Sequence, residues 1–120
     1  MDGIGAFGDG QLRSAVAAQR KPSEVTFSGT VTSEPLFFHS RRSGLTHEAF
    51  DVSPPSGLRT QVVENVDVGP RVPVHRGDSV VVRGEYVRDA GETHIVHWTH
   101  HDPDGRHVGG FIVDDGRRYA

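Results

Sequence analysis

From Val25 to Thr99 the apolar residues fall mostly on alternate positions, in short runs closed by Gly, Pro or an Asp-containing turn. A period of two places successive side chains on opposite faces, so such a chain must fold as strands with one buried face. The strongest run is Ser79–Val87, introduced by Gly77-Asp78. Its alternation turns Val80, Val82 and Tyr86 inward and Arg83 and Glu85 outward, with Gly84 relieving crowding at a bend. A turn at Arg88–Gly91 leads into a partner strand, Thr93–Thr99, running antiparallel to it.

The other runs complete a small barrel. Val25, Phe27 and Val31 form a first strand bent at Gly29 and continued by Leu36-Phe37-Phe38. Leu45–Val52 and Leu58–Val66 are the second and third strands, and Asp67–Arg76, with Pro70 and Pro73, is irregular. Phe111–Val113 and Arg117–Tyr119 flank Asp114-Asp115-Gly116 as a hairpin. Ahead of the strands, Gln11–Arg20 reads as a helix capped by Asp9, with Leu12 and Val16 on one face and Pro22 ending it. The predicted fold is mainly β: a five-stranded barrel of the oligonucleotide/oligosaccharide-binding (OB) kind, with a short N-terminal helix and a C-terminal hairpin. Residues 1–24 form a flexible segment and helix, and residues 25–120 the barrel domain.

Composition narrows the chemistry. The chain has no Cys, which excludes disulfides, thiolate metal ligands and a Cys nucleophile. Its first residues lack the basic and apolar regions of a signal peptide, and no apolar run approaches the length of a membrane span. The expected location is therefore the cytoplasm, with no membrane partner. Thirteen basic residues stand against 16 acidic ones, a net charge of -3. Sequence-independent nucleic-acid binders carry a basic surface, so any contact with phosphate must come from local Arg residues.

Four of the eight histidines lie in His97–His107, with Asp102, Asp104 and Arg106. The turn Asp102-Pro103-Asp104-Gly105 folds His107 back towards His100 and His101. Imidazoles and carboxylates bind divalent metals and act as general acids and bases near neutral pH. His100, His101 and Asp102 are the candidate metal ligands. His97, His101, His107, Glu85 and Arg106 are the candidate catalytic residues, and strand phase makes His97 a neighbour of Arg83 and Glu85. Of His47 and Glu48, only one can share that face. His47, Arg83, Asp67 and Arg71 are candidate substrate contacts, although an Asn-Val-Asp-Val-Gly-Pro stretch is more often a turn with a structural Asp. Phe37, Phe38 and Phe50 could stack bases, but the default for strand aromatics is the core. The bland reading of the His-rich loop is a solvated or backbone-bonded surface, and its spacing matches no standard zinc signature.

The run His-Trp-Thr-His-His-Asp-Pro-x-Gly-Arg-His-x-x-Gly over His97–Gly110 resembles the hallmark of a bacterial family, the domain of unknown function numbered 3465. His47-Glu48-x-Phe50, Asn65-Val66-Asp67-x-Gly69-Pro70-Arg71, Gly77-Asp78 and Gly84-Glu85-Tyr86 resemble further motifs of that family, over residues 25–119. The chain departs at Glu64, where the family pattern carries His, and at an insertion around Pro54-Pro55. The resemblance implies a domain type without a reaction. The leading expectation is a divalent-metal-dependent phosphodiester hydrolase acting on nucleic acid, the metal's identity left open. The alternative is a binding module for nucleic acid or a small anionic ligand, its histidines structural. Catalysis requires those side chains to converge on a water-accessible cleft, whereas a binder requires a groove of Arg and aromatic residues.

Overall fold

A computed structural model describes residues 8–19, 23–88, 94–97, 99 and 109–120. The elements are α1 (Gly10–Ala18), β1 (Ser23–Val31), β2 (Leu36–His39), β3 (Thr46–Ser53), β4 (Thr60–Asn65), β5 (Ser79–Arg88), β6 (His94–His97), β7 (Phe111–Asp114) and β8 (Arg117–Tyr119).

Five strands close a barrel in the order β1-β3-β4-β6-β5, with β5 returning to β1. All neighbours are antiparallel except β4 and β6, which are parallel. This is the OB arrangement, with β1, β3, β4, β5 and β6 as its five strands. Closure depends on β1, which pairs with β5 from Ser23 to Thr30 and with β3 at Thr30 and Val31. The changeover follows Gly29, where a Cβ would lie 2.7 Å from the Ser53 carbonyl oxygen. Gly84 has the same role on β5, since a Cβ there would sit 2.6 Å from the His97 carbonyl oxygen.

Val25, Phe27, Val31, Phe50, Val52, Val62, Val80, Val82, Tyr86 and Val96 fill the interior, as alternation predicts. Val72 and Val74 join them from the strandless segment 66–78. The expected hairpin is present as β7 and β8, turning through Asp115 (φ 47°) and Gly116 (φ 90°). β7 adds to the first half of β5, opposite Val80–Arg83, while β6 takes the second half, opposite Glu85–Arg88.

Three details differ from the sequence reading. Leu36–Phe38 carries on along the same edge of β3 as β1, but after a break containing Pro35 it is a separate strand, β2, and Leu36, Phe37 and Phe38 are exposed. The helix ends at Gln19, in the left-handed conformation (φ 53°), with its N–H on the Ala15 and Val16 carbonyls; Pro22 lies outside the described residues. The Asp9 carboxylate does not cap the helix. It accepts hydrogen bonds from the Ser56 amide and hydroxyl and from Arg13 Nε instead, tying the helix entrance to the β3–β4 loop. The helix buries Leu12 and Ala15, three apart, against the core, with Val16 at the margin.

Glycine tolerance follows from these contacts. Gly84→Ala should lower stability by about 1–3 kcal/mol, because the new methyl meets backbone that cannot retreat. Gly10→Ala, with open space around it, should leave the melting temperature unchanged or raise it. Thermal melts of the two variants decide, and equal behaviour would contradict the packing described.

Candidate functional site

Alternation divides β3 and β4 between the two sides of the barrel wall, with Ala49 buried out of phase. Glu48, Phe50 and Val52 of β3 and Thr60, Val62 and Glu64 of β4 are buried, while His47, Gln61 and Val63 are partly exposed outside. Register sets Phe38 of β2 opposite His47, and their rings stack at 5.4 Å with planes 18° apart. Gln61 is opposite Ile95, and Glu85 is opposite His97. Phe38, Ser40, Arg42, His47, Gln61, Val63, Val87, Ile95 and His97 line one open groove of about 380 Å³. Its lining sets Val63, Val87 and Ile95 beside an aromatic–imidazole stack, a guanidinium and a second imidazole.

A second groove, of about 470 Å³, lies on the other side of β2. The Arg71 guanidinium sits 4.8 Å from the centre of the Phe37 ring there, a cation–π contact at a partly exposed site. Glu34, Glu48, His75, Arg117 and Tyr119 also border it.

Behind these grooves the barrel encloses two carboxylates. Glu48 and Glu64 are directly opposite each other across β3 and β4, and both are fully buried. The Val72 amide donates to Glu48 Oε1 at 2.9 Å. Thr99 Oγ1 lies 3.2 Å from Glu64 Oε1 and 3.3 Å from the Val63 carbonyl, and its single proton serves one of them at a time. Among the described residues, Oε2 of each Glu has no hydrogen-bond partner. A buried carboxylate without a full set of donors favours its neutral form. Burial pushes Glu64 up to about 8, helped by the charge of Glu48 and opposed by bonds from Thr99 and the Asn65 backbone. Glu48 is also raised by burial, against the Val72 amide and Arg71.

Of the candidate residues, Glu85 and His97 are brought together as register partners, and His47 reaches the same groove as His97. Arg83 lies on the same strand, with its guanidinium on Glu24 at 3.1 Å. Asp67 holds the Thr46 amide at 2.7 Å, and its own N–H bonds to Asn65 Oδ1 in an Asx turn. Arg71 belongs to the second groove. His100, His101, Asp102, Arg106 and His107 lie outside the described residues. Phe38, which the sequence offers as a base-stacking ring with the core as its default, lines this groove, and so does Arg42, expected on a solvated loop. Of His47 and Glu48 it is His47 that faces outward, and phase with Phe50 and Val62 puts Glu48 and Glu64 inside.

A family model described as "Protein of unknown function (DUF3465)" matches residues 5–120. The chain belongs to that family. No curated protein and no solved structure matches it. Within this DUF3465 chain, Thr99 brings the start of the His-rich run against the buried pair, through its contact with Glu64.

The raised Glu64 sets a pH dependence of stability. A carboxyl that keeps its proton in the folded state to about 8, but loses it near the ordinary value once unfolded, binds more protons when folded. Its stabilising contribution is complete below about 4.5 and is lost as pH rises through about 8. Glu64→Gln should flatten the decline over that window and raise the melting temperature at pH 8 above that of the wild type. Urea titrations at several pH values check this, and parallel pH profiles for the two proteins would contradict it.

Proposed function

We propose that this chain is an OB-type binding module that lays a single-stranded nucleic acid across the outer face of β3, β4 and β6. The observation that carries the reading is the stacked Phe38–His47 pair on the rim of the outer groove, with Arg42 beside it. Phe38 is 42% exposed. Aromatic platforms bind bases of any sequence because every base has a π-face. The face of the second and third OB strands is the one on which such barrels hold oligonucleotides. Phe37 under Arg71 extends the pattern to the neighbouring groove, and this is the Arg-and-aromatic lining that a binder requires.

The net charge of -3 limits the electrostatic share. Few phosphates can be neutralised, so affinity is weak and falls with salt, with stacking supplying most of the remainder.

The test is fluorescence anisotropy with a labelled single-stranded oligonucleotide at low and moderate salt. Phe38→Ala should weaken binding roughly five- to hundredfold, the loss of about 1–3 kcal/mol of stacking, without lowering the melting temperature. Arg118→Ala, on the C-terminal hairpin, should bind as wild type. Equal affinity of wild type and Phe38→Ala would overturn the reading. Cleavage of the oligonucleotide on adding Mg²⁺ would extend it to hydrolysis.

A further inference from the structure

β2 stands between two grooves, and alternation turns Phe38 to one and Phe37 to the other. The second groove forms where β2, the segment before β5 and the C-terminal hairpin meet. Its volume of about 470 Å³ is that of a small-molecule pocket. Two guanidiniums border it, and each lies on an aromatic ring. Arg71 is 4.8 Å from the centre of Phe37, and Arg117 is 5.9 Å from the centre of Tyr119. Both arginines are exposed, and among the described residues neither is in an ion pair.

The carboxylates of this groove are engaged with other groups. The Arg76 amide donates to Glu34 Oε2 at 2.8 Å, and His75 Nδ1 lies 3.3 Å from Glu34 Oε1. Glu48 is fully buried with Oε1 on the Val72 amide, and Arg71 acts on it without forming an ion pair. The two guanidiniums are therefore the charges that the groove offers to a ligand. A guanidinium laid on a ring keeps its N–H edge free, and that edge matches phosphate oxygens in bidentate fashion. Stacking also holds the side chain in place, so less rotamer freedom is lost when an anion arrives. Two such forks match the charge of a phosphomonoester, which is close to dianionic at neutral pH. A phosphate alone fills a small part of the volume. The wall beside the guanidiniums is Pro35, Phe37, Pro73 and Tyr119. Phe37 stays 42% exposed even beneath Arg71, which leaves ring surface for a heterocyclic base.

We infer that this groove binds a nucleoside monophosphate, with the phosphate held by Arg71 and Arg117 and the base on the apolar wall around Phe37. The site goes beyond the strand-binding reading and stands without it, because none of its residues lines the outer groove.

The experiment titrates the ¹⁵N-labelled full chain with adenosine 5′-monophosphate, adenosine and ribose 5-phosphate at fixed ionic strength, followed by amide shifts. The monophosphate should move the amides of Phe37, Arg71, Arg117 and Tyr119 along a saturable curve. Adenosine lacks the phosphate and ribose 5-phosphate lacks the base, so each should bind about tenfold more weakly or worse. Arg71→Gln and Arg117→Gln, both at exposed positions, should keep the wild-type melting temperature. Each should weaken the monophosphate roughly tenfold or more, through loss of a charge-assisted contact. Phe38→Ala should bind the monophosphate as wild type, so failure of this site and failure of the strand-binding face are read separately. A 5′-phosphorylated oligonucleotide that displaces the monophosphate, where one ending in hydroxyls does not, makes a strand end the source of the phosphate. Without that displacement the ligand is the free nucleotide. No saturable shift at these residues up to about 10 mM monophosphate, equal affinity for adenosine or ribose 5-phosphate, or wild-type binding by either Gln variant would each overturn the assignment.

Discussion

The structure depends on one strand serving two neighbours. β1 runs along β5 for most of its length and passes to β3 at Thr30 and Val31. A sheet can close on itself only if a strand bends this way, and bending brings backbones closer than a side chain allows. Gly29 and Gly84 stand at those approaches. Closure defines an inside and an outside, and every later assignment of a residue to core, groove or buried pair follows from it.

Once the wall is closed, the register of β3 against β4 sorts their polar residues by a single step of alternation. His47 goes outward to stack with Phe38, and Glu48 goes inward to face Glu64. The two sides then behave differently. Outside, an imidazole, an aromatic ring and Arg42 stay accessible to a ligand. Inside, two carboxylates without enough donors hold on to protons, so the barrel carries acid groups whose ionisation opposes folding. The pair lies beneath the face that the ligand is proposed to cover. Its contacts with Val72 and Thr99 link it to the segment after β4 and to the residue that precedes the rest of the hallmark run.

The barrel could be read from the sequence because its signals are local. Alternating Val80, Val82 and Tyr86, the glycines at 29 and 84, and the Asp-Asp-Gly turn each act within a few residues. The family that the His-Trp-Thr-His-His-Asp-Pro run and its upstream companions resemble is the one whose model matches residues 5–120. The pairing of Glu85 with His97 followed from counting back from a single turn, and it holds. What escaped was whatever depends on partners distant in the chain. For Phe38 the sequence offers base stacking or, by default, the core, and the structure leaves the ring partly exposed and stacked on His47. Glu48 and Glu64 are in phase with the core residues Phe50 and Val62, and closure of the wall buries both. Asp67 was equally compatible with a site rim and a turn, and it bonds the Thr46 amide 21 residues away.

The most direct test of the outer-face account is an NMR titration of the ¹⁵N-labelled chain with a short single-stranded oligonucleotide. The account predicts amide shift changes concentrated at Phe38, His47, Gln61, Val63 and His97, with the hairpin from Phe111 to Tyr119 unmoved. Changes confined to the hairpin or the helix, or none at saturating oligonucleotide, would contradict it.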